Sequence, residues 1–114
     1  MINYILKDDV PVPTDDWTEW ARWMQDHDSE RHVARDSTMV GNDEIMVSTA
    51  FLGIDHGCNF NNDSNYVPWL WETMIFGGDH DGEQRRYTSA LDARAGHNEL
   101  LLLAHHKKEG VEDE

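Results

Sequence analysis

The tightest constraint on this chain is a glycine-centred turn set between two strand-like runs. Arg31 to Val40 is followed by Gly41-Asn42-Asp43 and then by Ile45-Met46-Val47-Ser48-Thr49-Ala50-Phe51-Leu52. A short turn with glycine matches the twist of two flanking strands, so this block reads as an antiparallel hairpin. Trp69 to Phe76 reads as a further strand, and Gln84 to Tyr87 as a short last one beyond the acidic, turn-rich loop Gly77 to Glu83. Ile2 to Leu6 suits an edge strand. After it, Asp8-Asp9-Val10-Pro11-Val12-Pro13 predicts an extended or turning connection, because proline fixes φ and restricts the residue before it.

Helical signals occupy two places. Thr14 is a candidate N-cap, with Asp15 and Asp16 in the first turn, for a helix from about Asp15 to Asp26. At about 100° per residue, Trp17, Trp20, Ala21 and Met24 share one face, while Trp23 and His27 sit at its rim. Thr88 or Ser89 caps a second helix running to His106. That helix carries two stripes, Leu91/Ala95/Asn98/Leu102 and Ala93/His97/Leu100/Ala104, with Leu101 and Leu103 pointing elsewhere. A helix apolar nearly all round is wrapped by its own domain or packed on another chain, and Leu100, Leu101 and Leu103 are the candidate surface for a homodimer. The expected fold is α+β, a mostly antiparallel sheet of about four strands covered by two helices.

A chain of 114 residues suits one domain, expected over 1–108, with 109–114 as a frayed acidic tail. Its formal net charge is −14, from 23 Asp and Glu against 9 Lys and Arg. Direct contact with nucleic-acid phosphates is disfavoured, because such binding depends on cationic side chains that release counterions. The excess favours a basic protein partner, although the same charge also serves solubility. Cys58 is the only cysteine, so no intramolecular disulfide forms, and a cytoplasmic setting is expected. Neither a secretory leader nor a membrane-spanning run is legible.

Candidate chemistry centres on His56, Glu72 and His97, with Asp55 beside them. Imidazole and carboxylate together suit zinc or another divalent metal, which gives a metal-dependent enzyme as one reading. Their spacing matches no recognised metal motif, and satisfied structural histidines explain the same residues. Asp26-His27-Asp28 and Asp79-His80-Asp81 are similar loop clusters. By alternation, Glu72 shares a face with Leu70, Met74 and Phe76, where a carboxylate needs pairing, hydrogen bonds or protonation. It is either a general base or the partner of Arg22, Arg35, Arg85, Arg86 or Arg94. Cys58 lacks a nucleophile signature, and the glycines lack the strand-to-helix context of a phosphate loop.

For protein binding, Trp23, Trp69 and Trp71 are the apolar anchors. Carboxylates from Asp8 to Glu30, and Asp79, Asp81 and Glu83 in the acidic loop, would stand in for phosphates. A third reading is a sponge for a small molecule or signalling nucleotide, held between Trp71, Tyr87 and the last helix with Arg85 and Arg86 offsetting the charge.

Several segments carry a resemblance. Val47-Ser48-Thr49-Ala50-Phe51-Leu52-Gly53-Ile54-Asp55-His56, Leu70-Trp71-Glu72-Thr73-Met74-Ile75-Phe76-Gly77-Gly78, Tyr87-Thr88-Ser89 and Ala95-Gly96-His97 are similar to a family of small hypothetical proteins encoded by phages and prophages. Tyr4-Ile5-Leu6, Pro11-Val12-Pro13 and Trp20-Ala21-Arg22-Trp23 resemble that family's opening. The resemblance implies a setting in the host bacterial cytoplasm and no mechanism. With the charge, it leads to the expectation of a small acidic phage-type protein that binds a host or phage protein, as an inhibitor or nucleic-acid mimic acting against host defence.

Overall fold

The computed structural model describes residues 2–55 and 65–106. Their order is β1 (Asn3–Lys7), β2 (Val10–Thr14), α1 (Trp17–Asp26), β3 (His32–Val40), β4 (Asp43–Phe51), β5 (Trp71–Phe76), β6 (Gln84–Tyr87) and α2 (Ala90–Ala104). The fold is α+β, with an antiparallel four-stranded sheet in the order β3-β4-β5-β6 and a separate β1-β2 hairpin. Gly41 adopts φ +63° at the first central position of the β3-β4 turn, and Val40 pairs with Asp43. The notional tail, 109–114, and Cys58 lie outside the described residues.

Two local expectations are corrected. Val10 to Pro13 is not a connection but most of β2, in register with β1 through Leu6↔Pro11 and Tyr4↔Pro13. The two prolines are two residues apart, so both ring nitrogens point to one side of the strand. That side faces away from β1, and no ladder donor is lost. At the start of α1 the cap is Asp16 rather than Thr14. Asp16 Oδ1 accepts from Thr18 N and Glu19 N at 3.0 and 3.3 Å. Thr14 supports the turn by donating to Glu19 Oε1 at 2.6 Å.

The two helices do not share the sheet. Only α2 lies across β3 to β6, while α1 rests on the β1-β2 hairpin and reaches the main sheet through the Trp23 edge on Phe51, 5.8 Å between ring centres. No residue of α1 is fully buried, and Trp17 in its first turn is 69% exposed, contrary to the inner position predicted for it. The hairpin joins the main sheet through Asn3 opposite Ile54 and through Tyr4 N donating to Gly53 O at 2.7 Å.

Under α2 the core falls into two apolar clusters. One holds Ile45, Val47, Ile75, Leu100 and Ala104, with Leu101 and Leu103 packed partly buried against it. The other holds Phe51, Leu70, Trp71, Tyr87 and Ala93, with Trp23 at its edge. Alternation along β5 therefore buries Trp71, Thr73 and Ile75 beneath α2 and turns Glu72, Met74 and Phe76 to the other face. Of α2's two stripes, Ala93/His97/Leu100/Ala104 faces the sheet, and Leu91 and Leu102 are left exposed. Leu100 is thus a core residue of its own sheet rather than a self-association contact, and Leu101 and Leu103 are half-covered by the same cluster.

Close approach of α2 to β6 requires Gly96. A methyl group there would fall within the ring and hydroxyl of Tyr87. Alanine is the better helix former, yet overpacking of about 1–3 kcal/mol outweighs its propensity. Gly96→Ala is therefore expected to lower the melting temperature by several degrees, measured by calorimetry.

Candidate functional site

Between the two apolar clusters lies a polar layer built from one residue of each facing element. Thr49 of β4 sits opposite Thr73 of β5, and both are fully buried, as is His97 of α2 above them. Tyr87 Oη donates to Thr73 Oγ1 at 3.0 Å. Thr73 and Thr49 share a short hydroxyl contact, His97 Nδ1 lies 2.7 Å from Thr49 Oγ1, and His97 Nε2 lies 2.7 Å from Asp36 Oδ2 on β3.

With neutral His97 the direction of every bond follows. Nε2–H donates to Asp36, because a carboxylate only accepts. Nδ1 is then an acceptor for the Thr49 hydroxyl, Thr49 accepts from Thr73, and Thr73 accepts from Tyr87. Each hydroxyl proton in the line has an acceptor, as buried polar groups require.

The connectivity carboxylate, imidazole, hydroxyl is that of an activated nucleophile. Its placement is inverted. Asp36 is the exposed end, at 52% for the side chain, whereas the Thr49 hydroxyl is sealed in the core and reaches no substrate. The line is a structural element of the interior.

The metal constellation is not assembled. His97 has both ring nitrogens engaged beneath α2, while Glu72 projects from the opposite face of the sheet and pairs with Arg86 at 3.1 Å. His56 lies outside the described residues, and Asp55 anchors the chain returning to β5 by accepting from Tyr66 Oη and Trp69 N at 2.8 and 2.9 Å. Among the described residues no group of three or more His, Cys, Asp or Glu side chains is arranged to hold a metal ion.

The anchor tryptophans separate by exposure. Trp71, at 4%, is a core residue and cannot meet a partner or line a ligand pocket, because its alternation places it under α2. Trp69 is 43% exposed and lines an open cavity of about 350 Å³ with Arg85, Arg86, Tyr87, Gly96 and Glu99. There Arg85 is held by Glu99 at 3.0 Å and Arg86 by Glu72, so neither arginine is an uncommitted anion receptor. Trp23 is half-buried and stacks on His27 with ring centres 4.6 Å apart.

The acidic side chains separate by position. Asp79, Asp81 and Glu83 lie in the β5-β6 loop, beside the start of β4, where Asp81 Oδ1 accepts from Gly77 N at 2.6 Å. Asp8 to Glu30 lie at the other end of the sheet, beyond the end of β4. Nine-residue β4 alone separates the two groups by about 30 Å.

At this second end, Leu6, Asp8, Asp9, Trp23, His27 and Glu30 line a cavity of about 290 Å³. Asp8 and Asp9 form the β1-β2 turn with φ of 52° and 65°, the left-handed pair that a two-residue hairpin loop demands. Glu30 arrives from the turn after α1, where Glu30 N and Arg31 N both donate to His27 O. His27 Nδ1 donates to Trp23 O at 2.9 Å. Asp8, Asp9 and His27 as a pocket were not legible from the sequence, since only the β1-β2 pairing brings the turn to the end of α1. Trp17, the most exposed tryptophan, was missed for its helical phase.

No protein-family model matches the chain, and neither a curated protein nor a solved structure does. Among the described residues no helix is long and apolar enough to cross a membrane.

Two measurements follow. Thr73→Val removes the acceptor of the Tyr87 hydroxyl and the donor to Thr49, at an expected cost of about 1–3 kcal/mol. Adding Tyr87→Phe to that variant should cost much less than Tyr87→Phe alone, a coupling read from denaturant melts of the double-mutant cycle. Burial pushes the Tyr87 hydroxyl above its ordinary 10.0, more than the Thr73 bond and Arg85 lower it, and burial with nearby Asp55 raises Tyr4 likewise. A raised folded value means that the stabilising contribution of these hydroxyls is fully present below pH 10.0 and is lost as pH rises through the folded value. Tyrosinate absorbance of these residues should therefore appear only above that pH, together with loss of near-UV dichroism.

Proposed function

We propose that this chain is a non-enzymatic binding protein for a basic protein surface, and that it docks through the end formed by the β1-β2 turn, α1 and the turn that follows. The observation that carries the reading is unneutralised charge at that end. From Lys7 to Glu30 there are eight carboxylates and two cations, a net −6. Only Asp28 of them pairs with an arginine among the described residues, Arg31 at 3.1 Å. Exposed Trp17 and half-exposed Trp23 stand within the same segment and supply apolar contact area.

A strong one-signed field draws an oppositely charged partner and speeds its encounter. Carboxylates spread over a turn and a helix can take the place of phosphates on a surface built for nucleic acid. In the phage setting that the sequence resemblance suggests, the partner is a host or phage protein of that kind, and occupying its surface inhibits it. Asp79, Asp81 and Glu83 belong to the opposite end and are not part of this contact.

Affinity capture from bacterial lysate tests the reading. At low salt the chain is expected to retain one or a few basic proteins, and to release them as added salt shortens the screening length to about 3 Å near 1 M. Charge reversal at Asp8, Asp9 and Glu30 to lysine should abolish capture, whereas Glu83→Lys should preserve it. Capture unaffected by the first set, or an empty low-salt eluate, overturns the proposal.

A further inference from the structure

We infer that the face of the four-stranded sheet turned away from α2 is a self-association surface, and that a second copy of this chain packs on it sheet to sheet. The inference is independent of the basic-partner reading, which concerns the α1 end. Among the described residues α2 covers one face of β3 to β6, α1 rests on the β1-β2 hairpin, and no helix or strand packs on the other face. Register and alternation set what that face carries. Ser37, Met46 and Phe76 form one row across it, and Arg35, Ser48, Met74 and Gln84 form the next. A sheet face that meets only water alternates to polar side chains, yet here Met39 and Phe76 are 60% and 43% exposed and Met46 and Met74 are half-buried. Arg35, Glu44, Glu72 and Arg86 stand around this apolar centre. An apolar centre within a polar rim is the anatomy of a protein interface.

Charge and shape select the occupant. At a net −14 the chain repels its own copies over most of its surface, but on this face two arginines and two glutamates cancel. A basic partner gains nothing there, whereas a second neutral face meets no repulsion. A two-fold axis along the strands, between β4 and β5, lays β4 of each copy on β5 of the other at the usual sheet spacing of about 10 Å. The register then sets Met46 over Phe76 of the second copy and Ser48 over its Met74, so that small meets large at the second pair. Arg35 of β3 falls over Gln84 of the second copy, and no like charges oppose each other. With strands about 4.8 Å apart, and β5 and β4 six and nine residues long, the face measures on the order of 500 Å². Two copies therefore bury on the order of 1,000 Å², the lower bound for a specific interface and the size of a reversible dimer.

Sedimentation velocity of the full chain, from about 1 to about 300 μM, tests the inference. A monomer–dimer equilibrium is expected, and it should tighten as salt is added, because screening relieves repulsion between two acidic copies. That response is opposite in sign to the one expected of the basic-partner contact, so the two readings fail separately. Phe76→Glu should weaken the dimer about thirtyfold or more, and Leu102→Glu, on the exposed outer side of α2, should leave it unchanged. Melting temperatures check that both variants fold. In a mixture of isotope-labelled and unlabelled copies, the Met46 methyl of one copy should show nuclear Overhauser contacts to the Phe76 ring of the other. A monomer at every concentration and salt, a dimer indifferent to Phe76→Glu, or a dimer lost in Leu102→Glu would overturn the inference. So would Met46 and Phe76 contacts made only within one copy, for example to residues 56–64.

Discussion

The hydrogen-bonded line from Tyr87 through Thr73, Thr49 and His97 to Asp36 sets how α2 lies on the sheet. Apolar contact is non-directional, so the two clusters on either side of this line would each tolerate small slides and rotations of the helix. The polar layer between them does not. Thr49 and Thr73 are cross-strand partners, and His97 must stand above them with its far nitrogen at β3, or several buried groups lose their partners. Gly96, one residue before His97, then lets the helix backbone approach the Tyr87 ring. One register of helix on sheet satisfies both conditions.

That arrangement also decides where function can reside. The interior's reactive groups are consumed by one another, and its hydroxyls are closed to solvent. What remains is the surface, where three arginine–carboxylate pairs join described residues and most other carboxylates face water. The two acidic ends are separated by several screening lengths of about 8 Å at physiological salt, so each acts on its own surroundings. The α1 end combines several carboxylates that pair with no cation among the described residues with accessible indole surface and a cavity.

Local signals were legible in the sequence, and their limits are physical. The β3-β4 hairpin, β5, β6 and the Ser89-capped helix follow from turn chemistry and alternation, which act over a few residues. β2 was obscured because proline reads as a breaker, and only knowledge of which strand side faces β1 removes the objection. The two stripes of α2 were visible, but periodicity cannot say which meets the sheet. The choice fell to the stripe with His97, since Ala93 and Ala104 allow close approach and His97 finds polar partners beneath it. Glu72 and His97 looked like co-ligands because alternation was assigned without knowing which face α2 covers. Trp71 and Leu100 were misread as surface for that same reason. The acidic cavity joins residues 8–9 to residues 23–30 through tertiary pairing, and no window of sequence contains it.

The β1-β2 turn breaks a local rule in a way that bears on this cavity. A two-residue loop with both φ angles positive favours Asn-Gly or Asp-Gly, where glycine meets no Cβ penalty. Here Asp8 and Asp9 occupy both positions, adding the strain of a second non-glycine residue to repulsion between adjacent like charges. Nothing within the hairpin compensates, since neither carboxylate pairs with a cation among the described residues. Sequences depart from local consistency chiefly where a site demands it. The departure from turn chemistry falls in the segment from Lys7 to Glu30, where eight carboxylates face two cations.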